Sequence, residues 1–92
     1  MIISKYTKNP VEVEAVQVEK IWFPNIAVWC NGKVSEYYSK DDPTKTINCI
    51  EINNYSYGLQ VAKINDWIIK WPDGDFTVCP EEYFKYTYTV KE

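Results

Sequence analysis

The stretch that decides the fold of this 92-residue chain is Asn65–Tyr88, NDWIIKWPDGDFTVCPEEYFKYTY. Its first part alternates in the way that is typical of a β-strand, with Trp67, Ile69 and Trp71 on one side. Pro72–Asp75 then has the composition of a tight turn, because proline fixes φ and glycine accepts a left-handed conformation. The stretch therefore predicts a β-hairpin that presents bulky rings to a core.

The second half of the stretch returns along this hairpin and then changes structure. Phe76 and Val78 point to one side of the return strand. Pro80–Glu82 favours one helical turn, since it combines an early proline with acids at the positive end of a helix. Tyr86–Val90 is expected to form a last strand. We interpret the Trp and Phe rings of the hairpin as inward-facing core residues, because each buries roughly 150–250 Å².

The centre of the chain predicts one short helix and three strands. The helix is expected at Pro24–Cys30, where apolar residues recur at helical spacing before an Asn-Gly stop. A strand follows at Val34–Tyr38. Thr46–Ile52 and Tyr55–Ala62 form a predicted hairpin around a turn at Asn53-Asn54, since asparagine tolerates positive φ.

The first predicted strand begins at Val11. Apolar and acidic residues alternate here, with Val11, Val13 and Ala15 on one face of the strand and Glu12 and Glu14 on the other. This pattern indicates one buried and one solvent-exposed face. The phase is lost after Ala15, so either a bulge occurs there or both faces become covered. Acids on a solvated strand face are common, and we expect no catalytic role for this pair.

These elements predict a single α+β domain spanning residues 1–92. It has six or seven short strands in a small, mostly antiparallel sheet, which curls or partly closes into a barrel. One or two short helices accompany the sheet. The chain shows no internal repeat, linker or low-complexity segment.

Composition excludes several functions. The net charge is −3, all ten basic residues are lysines, and the chain has no arginine, so duplex nucleic acid is not an expected partner. The absence of histidine removes the commonest general base and most zinc sites. We find no phosphate-binding glycine loop and no metal-ligand spacing, and we expect no enzyme activity and no cofactor.

The cysteines point to a reducing compartment. Cys30, Cys49 and Cys79 are odd in number and widely spaced, which fits buried free thiols better than a disulfide framework. The first ten residues contain no apolar run typical of a signal peptide. No apolar run is long enough to span a membrane, so we expect a cytoplasmic protein that does not contact membranes.

Tyrosines near strand ends, together with a charged loop, form the candidate interaction surface. Tyrosine is favoured at interfaces because its ring is apolar and its hydroxyl group is polar. Half-exposed rings that support a small core explain the tyrosines equally well. The candidate residues are Tyr37, Tyr38, Lys40, Asp41, Asp42, Tyr55 and Tyr57.

Both ends of the chain resemble a group of small, mostly uncharacterised proteins of tailed bacteriophages and prophages. The group begins with a Lys-x-Pro-Val-x-Val-Glu-Ala-x-Gln pattern, matched here by Lys8–Gln17. It ends with a Gly-Asp-Trp-Ile-Ile-Lys, Gly-x-Phe, Cys, Phe, Thr-Tyr pattern. The residues that match this second pattern are Asp66–Lys70, Gly74, Phe76, Cys79, Phe84 and Thr87-Tyr88. Asn65 stands where the group has glycine, and residues 19–62 show no recognisable match.

The resemblance implies a phage or prophage accessory protein in the cytoplasm of a bacterial host, and it implies no activity. We therefore expect a non-enzymatic protein that binds a host protein, for example in evasion of bacterial defence. One alternative is an oligomeric sponge that sequesters a nucleotide signal or small metabolite, with tyrosines stacking on a base. Another is a minor virion or assembly component.

Overall fold

The computed structural model of the chain describes residues 1–8, 11–54 and 57–90. Within these ranges lie eight strands, two seven-residue α-helices and a short 3₁₀ helix at Lys20–Trp22 that leads into α1. The predicted α+β class is confirmed. The elements are β1 (Ser4–Lys8), β2 (Val11–Gln17), α1 (Phe23–Trp29), β3 (Lys33–Tyr38), β4 (Thr46–Asn54), β5 (Gly58–Ala62), β6 (Trp67–Lys70), β7 (Phe76–Cys79), α2 (Glu81–Thr87) and β8 (Thr89–Val90).

The strands form two separate sheets. The five-stranded sheet has the order β7-β6-β2-β1-β8, and the three-stranded sheet has the order β3-β4-β5. Every described strand pair is antiparallel. Because no ladder joins one sheet to the other in the described chain, the strands do not close into a barrel, and the curled-sheet alternative applies.

The centre of the five-stranded sheet is buried on both faces. Ala15 pairs with Ile69 and Val16 pairs with Ile68, and all four side chains are at most 1% exposed. Because successive side chains point to opposite faces of a strand, these two pairs bury opposite sides of the sheet. The loss of alternation after Ala15 therefore reflects coverage of both faces.

Two apolar clusters supply this coverage. One lies between the two sheets and α1, and the other lies beneath α2. The first comprises Val16, Val18, Phe23, Ile26, Ala27, Cys30, Ile50, Ile52, Ala62 and Ile68. The second comprises Val13, Ala15, Ile69, Phe84 and Tyr88.

The rings of the β6–β7 hairpin are divided between these clusters. Trp67 and Trp71 pack against the cluster beneath α2, where the Trp67 ring stacks on Phe84 at 3.8 Å between centroids. Phe76 and Val78 pack against the other cluster. The rings pack against the core but are only partly buried, and the expectation of one inward side was wrong, since the hairpin has apolar contacts on both sides.

Two amide side chains join the sheets. Asn54 Nδ2 donates to the carbonyl oxygen of Phe76 at 2.6 Å, and the Val78 N–H donates to Gln60 Oε1 at 2.8 Å. Asn54 Oδ1 also accepts a hydrogen bond from the Tyr57 N–H at 2.9 Å. Side chains of β4 and β5 thus bond to the backbone of β7, where a neighbouring strand would otherwise pair.

Three predictions of local structure need correction. Asn53-Asn54 is not a turn, because both residues belong to β4 and Asn54 is only 4% exposed. The helix after Pro80 continues to Thr87, since Phe84 anchors it on the core, and the last strand is reduced to Thr89–Val90. β1 was missed because the segment Ser4–Lys8 is mostly polar, and its pairing with β2 forms it.

Helix α1 ends close to β4. It starts with a proline in its first turn and buries Phe23 and Ile26, as its apolar spacing predicts. The chain then turns at Asn31, which has a φ of 58°. A Cβ atom on Gly32 would lie 2.8 Å from the carbonyl oxygen of Glu51, so only glycine fits between the helix end and β4.

We predict that Asn54→Ala lowers the free energy of unfolding by about 2–3 kcal/mol, because it leaves two backbone groups without their partners. Asn53→Ala is the matched control, since Asn53 is the exposed neighbour on the same strand, and we expect a change within about 0.5 kcal/mol. Urea unfolding followed by circular dichroism measures both variants. Equal effects would contradict the joining role of Asn54.

We also predict a loss of stability at alkaline pH that depends on Tyr88. Burial, with a smaller effect of nearby Cys79, raises the pKa of Tyr88 to about 12. The unfolded tyrosine ionises near pH 10, so stability is complete below pH 10 and falls as the pH rises through about 12. Urea midpoints should fall less steeply with pH in Tyr88→Phe than in wild type. Tyr86→Phe, at an exposed site, should keep the wild-type slope.

Candidate interaction surface

The β3–β4 hairpin projects beyond the core. No residue from 36 through 48 is buried, although Cys49, Ile50 and Ile52 further along β4 are each at most 1% exposed. The molecule is elongated, with extents of 44 × 24 × 23 Å. The end of this hairpin therefore presents both faces to solvent, and it carries most of the candidate residues.

The loop at the hairpin end has its own hydrogen bonds. Ser39 Oγ accepts from the N–H groups of Asp41 and Asp42, and Asp42 Oδ1 accepts from the N–H and hydroxyl of Thr44. The Ser39 N–H donates to the carbonyl oxygen of Lys45 at 3.0 Å, which closes the hairpin. The hydrogen bonds from Thr44, chiefly that of its hydroxyl, hold the pKa of Asp42 below its ordinary value.

The structure brings part of the predicted surface together. Tyr38 is 72% exposed, Tyr37 is half-buried on the opposite face of the hairpin, and Lys40, Asp41 and Asp42 lie in the adjoining loop. Tyr57 is 74% exposed but lies at the other end of β4. At about 3.3 Å per residue, the length of β4 separates it from Tyr38 by about 26 Å. Tyr55 lies outside the described residues.

On its outer face the three-stranded sheet covers a thiol. Lys63 Nζ lies 5.3 Å from the centre of the Tyr37 ring, a cation–π contact that crosses β4 from the β5 side to the β3 side. Cys49 points to this face of β4 and is only 1% exposed. Burial, followed by the charge of Glu51, raises the pKa of the Cys49 thiol. Tyr37 thus serves partly as cover for this thiol.

A second exposed surface lies on the 3₁₀ helix and α1, and the sequence analysis missed it. Ile21 is 78% exposed and Val28 is 82% exposed, with the exposed Pro24 between them at helical spacing. The signal was available, because residues 21–32 contain no charge in a chain that is 25% charged. Exposed apolar groups without interspersed charges are typical of contact surfaces.

One open cleft, of about 490 Å³, is lined by Lys5, Glu12, Glu14 and Lys70, so its lysines face carboxylates. Lys5 Nζ lies 3.7 Å from Glu12 Oε1. This balanced charge gives an anionic nucleotide little advantage there. No helix in the described ranges has the length and apolar character needed to cross a bilayer.

Comparisons of the chain with protein-family models, with curated proteins and with solved structures give no match.

We predict that Tyr37→Ala increases the reactivity of Cys49 toward a maleimide by about tenfold or more, because thiol reactivity follows exposure. The measurement uses a Cys79→Ser background, since Cys79 is the partly exposed thiol. Tyr38→Ala is the control, because Tyr38 lies on the other face of the hairpin. Equal labelling rates in the two variants would show that Tyr37 does not cover Cys49.

Proposed function

We propose that this chain is a non-enzymatic accessory protein of a phage or prophage that binds a protein of the bacterial host, for example in evasion of host defence. The proposed place of action is the host cytoplasm. The observation that carries the proposal is the β3–β4 hairpin, which extends beyond the core and exposes Val34 and Tyr38. Because no residue from 36 through 48 is buried, this end of the hairpin contributes no buried side chain to the core.

The division between scaffold and surface supports this function. Residues of the two segments that resemble the phage group, such as Ala15, Ile69 and Phe84, lie in the core. The hairpin belongs to the central part of the chain, which differs from the group. Variation in the part that projects, on a constant scaffold, suits proteins that bind different partners.

Asn65, which stands where the phage group has glycine, keeps the backbone conformation that a glycine would adopt. Asn65 has a φ of 76°, in the left-handed region that glycine adopts readily and asparagine tolerates. The Asn65 N–H donates to the carbonyl oxygen of Val18 at 2.9 Å, so the turn joins the segments that carry the two parts of the pattern. Asparagine can therefore replace the glycine of the group here without a change of backbone.

The test is affinity capture of host proteins on the tagged full-length chain, followed by measurement of the affinity of each captured protein in purified form. We expect Tyr38→Ala to weaken binding of a specific partner by about tenfold, because exposed tyrosines frequently dominate interfaces. Tyr86→Ala is the matched control, since Tyr86 is 80% exposed on α2, away from the hairpin. Its affinity should equal that of wild type.

Three results would contradict the proposal. One is a purified partner whose affinity is unchanged by Tyr38→Ala. Another is the failure of any captured protein to bind in purified form. The third is a partner lost only on Val28→Asp, which would move recognition to the apolar surface of α1.

A further inference from the structure

The pairing of β3 with β4 determines which backbone groups of β3 face outward. In an antiparallel pair, opposed residues alternate between those that bond to each other and those whose N–H and C=O groups point away. The bond from the Ser39 N–H to Lys45 shows that this pair is of the bonded type. Because the bonded type recurs at every second residue, Tyr37 and Ser35 also bond to β4. The backbone N–H and C=O groups of the residues between them, Tyr38, Glu36 and Val34, point away from β4.

The β6–β7 pair follows the same alternation. The Trp71 N–H donates to the carbonyl oxygen of Asp75, so that pair is bonded, and Phe76 and Val78 of β7 should point outward. They do, because the Phe76 carbonyl and the Val78 N–H are the groups that Asn54 and Gln60 bond. The Phe76 N–H is occupied as well, by the carboxylate of Asp75.

The outer edge of β3 has no such partners. Its three outward residues offer three N–H donors and three C=O acceptors, and no side chain or backbone group of the described chain bonds to them. Val34 is 43% exposed and Tyr38 is 72% exposed, so the edge is also open to a second chain. The outer edge of β5 is shorter, with Leu59 and Val61 pointing outward, and β5 lies beside β7.

The side chains of the β3 edge specify the partner's charge. Val34, Glu36 and Tyr38 share one face of the strand, with the carboxylate in the middle. A strand added beside β3 places one residue opposite Glu36 and the next residues of the same face opposite Val34 and Tyr38. Opposite charges stabilise such cross-strand pairs and like charges destabilise them.

We propose that β3 binds its partner as an added strand, and that this strand carries a lysine or arginine opposite Glu36 with apolar residues two positions before and after it. This inference rests on the proposed function and names the chemistry of the partner. The backbone groups supply affinity, and the alternate side chains supply specificity.

Glu36 also disfavours a second copy of the chain as the occupant. Suppose that β3 strands of two copies pair through all three outward N–H and all three outward C=O groups of each strand. Glu36 of one copy then lies directly opposite Glu36 of the other. Exposed edge strands are commonly protected against self-pairing by a charge of this kind. One carboxylate therefore rejects another β3 and favours a basic strand.

The test uses the full-length ¹⁵N-labelled protein and a synthetic peptide, acetyl-Thr-Val-Thr-Lys-Thr-Val-Thr-amide, with a matched peptide that has Glu in place of Lys. We expect the lysine peptide to slow hydrogen exchange at the N–H groups of Val34, Glu36 and Tyr38. Those of Ser35 and Tyr37, already bonded to β4, should not change. The matched peptide should bind about fivefold more weakly, and Glu36→Lys should reverse this preference.

Glu36→Pro removes the central outward donor and leaves the bonds to β4 in place, as edge strands allow. It should abolish peptide binding and capture of the host partner without changing the circular dichroism spectrum. Glu36→Gln, the control for loss of charge alone, should bind both peptides equally. Unchanged exchange at the three outward amides, or equal binding of the two peptides to wild type, would overturn the inference.

Two further results would separate this inference from the function it rests on. A host partner whose binding survives Glu36→Pro but is lost on Tyr38→Ala would overturn strand addition and leave the binding function in place. A dimer of the wild-type chain that becomes monomeric in Glu36→Pro would identify a second copy as the occupant. That result would overturn the assignment of a basic partner.

Discussion

The arrangement of the two sheets depends on the pairing of backbone groups at the edge of β7. Leaving a buried N–H or C=O without a partner costs free energy comparable to a lost hydrogen bond. The outward backbone groups of Phe76 and Val78 are partly buried, and Asn54 and Gln60 supply their partners from the three-stranded sheet. The same contacts place the three-stranded sheet against the five-stranded one, and the β3–β4 hairpin then extends away from the core. The hydrogen-bonded edge of β7 and the exposed edge of β3 therefore follow from the same constraint.

A chain of this size has little apolar surface to bury, and the five-stranded sheet uses both of its faces for that purpose. The cluster beneath α2 stacks Trp67, Phe84 and Tyr88, and the other cluster fills the space between the sheets and α1. This use of aromatic rings explains why the C-terminal part of the chain contributes scaffold. What projects from the scaffold is the central hairpin, and the proposed recognition therefore resides there.

The edges of β7 and β3 differ in whether side chains bond to their outward backbone groups, and this difference is the basis for the proposed addition of a strand to β3. Both strands present outward backbone groups, but only β7 receives side chains that bond to them. An unpaired edge invites association, and proteins commonly protect such edges with charges. The carboxylate of Glu36 is such a charge, and it also distinguishes between partners.

The sequence by itself determined the elements whose residues follow a local rule. It located α1, β3 and the β6–β7 hairpin, whose turn has Gly74 at a φ of 89°, because apolar period and turn chemistry act between near neighbours. It also placed Tyr38 and the adjoining loop among the candidate surface residues. Only the tertiary structure decided that Asn54 bonds across to β7 instead of forming a turn, that β1 is a strand, and that Tyr57 lies far from Tyr38. These outcomes depend on contacts between residues distant in the chain, where the free energy of pairing and burial exceeds local preference.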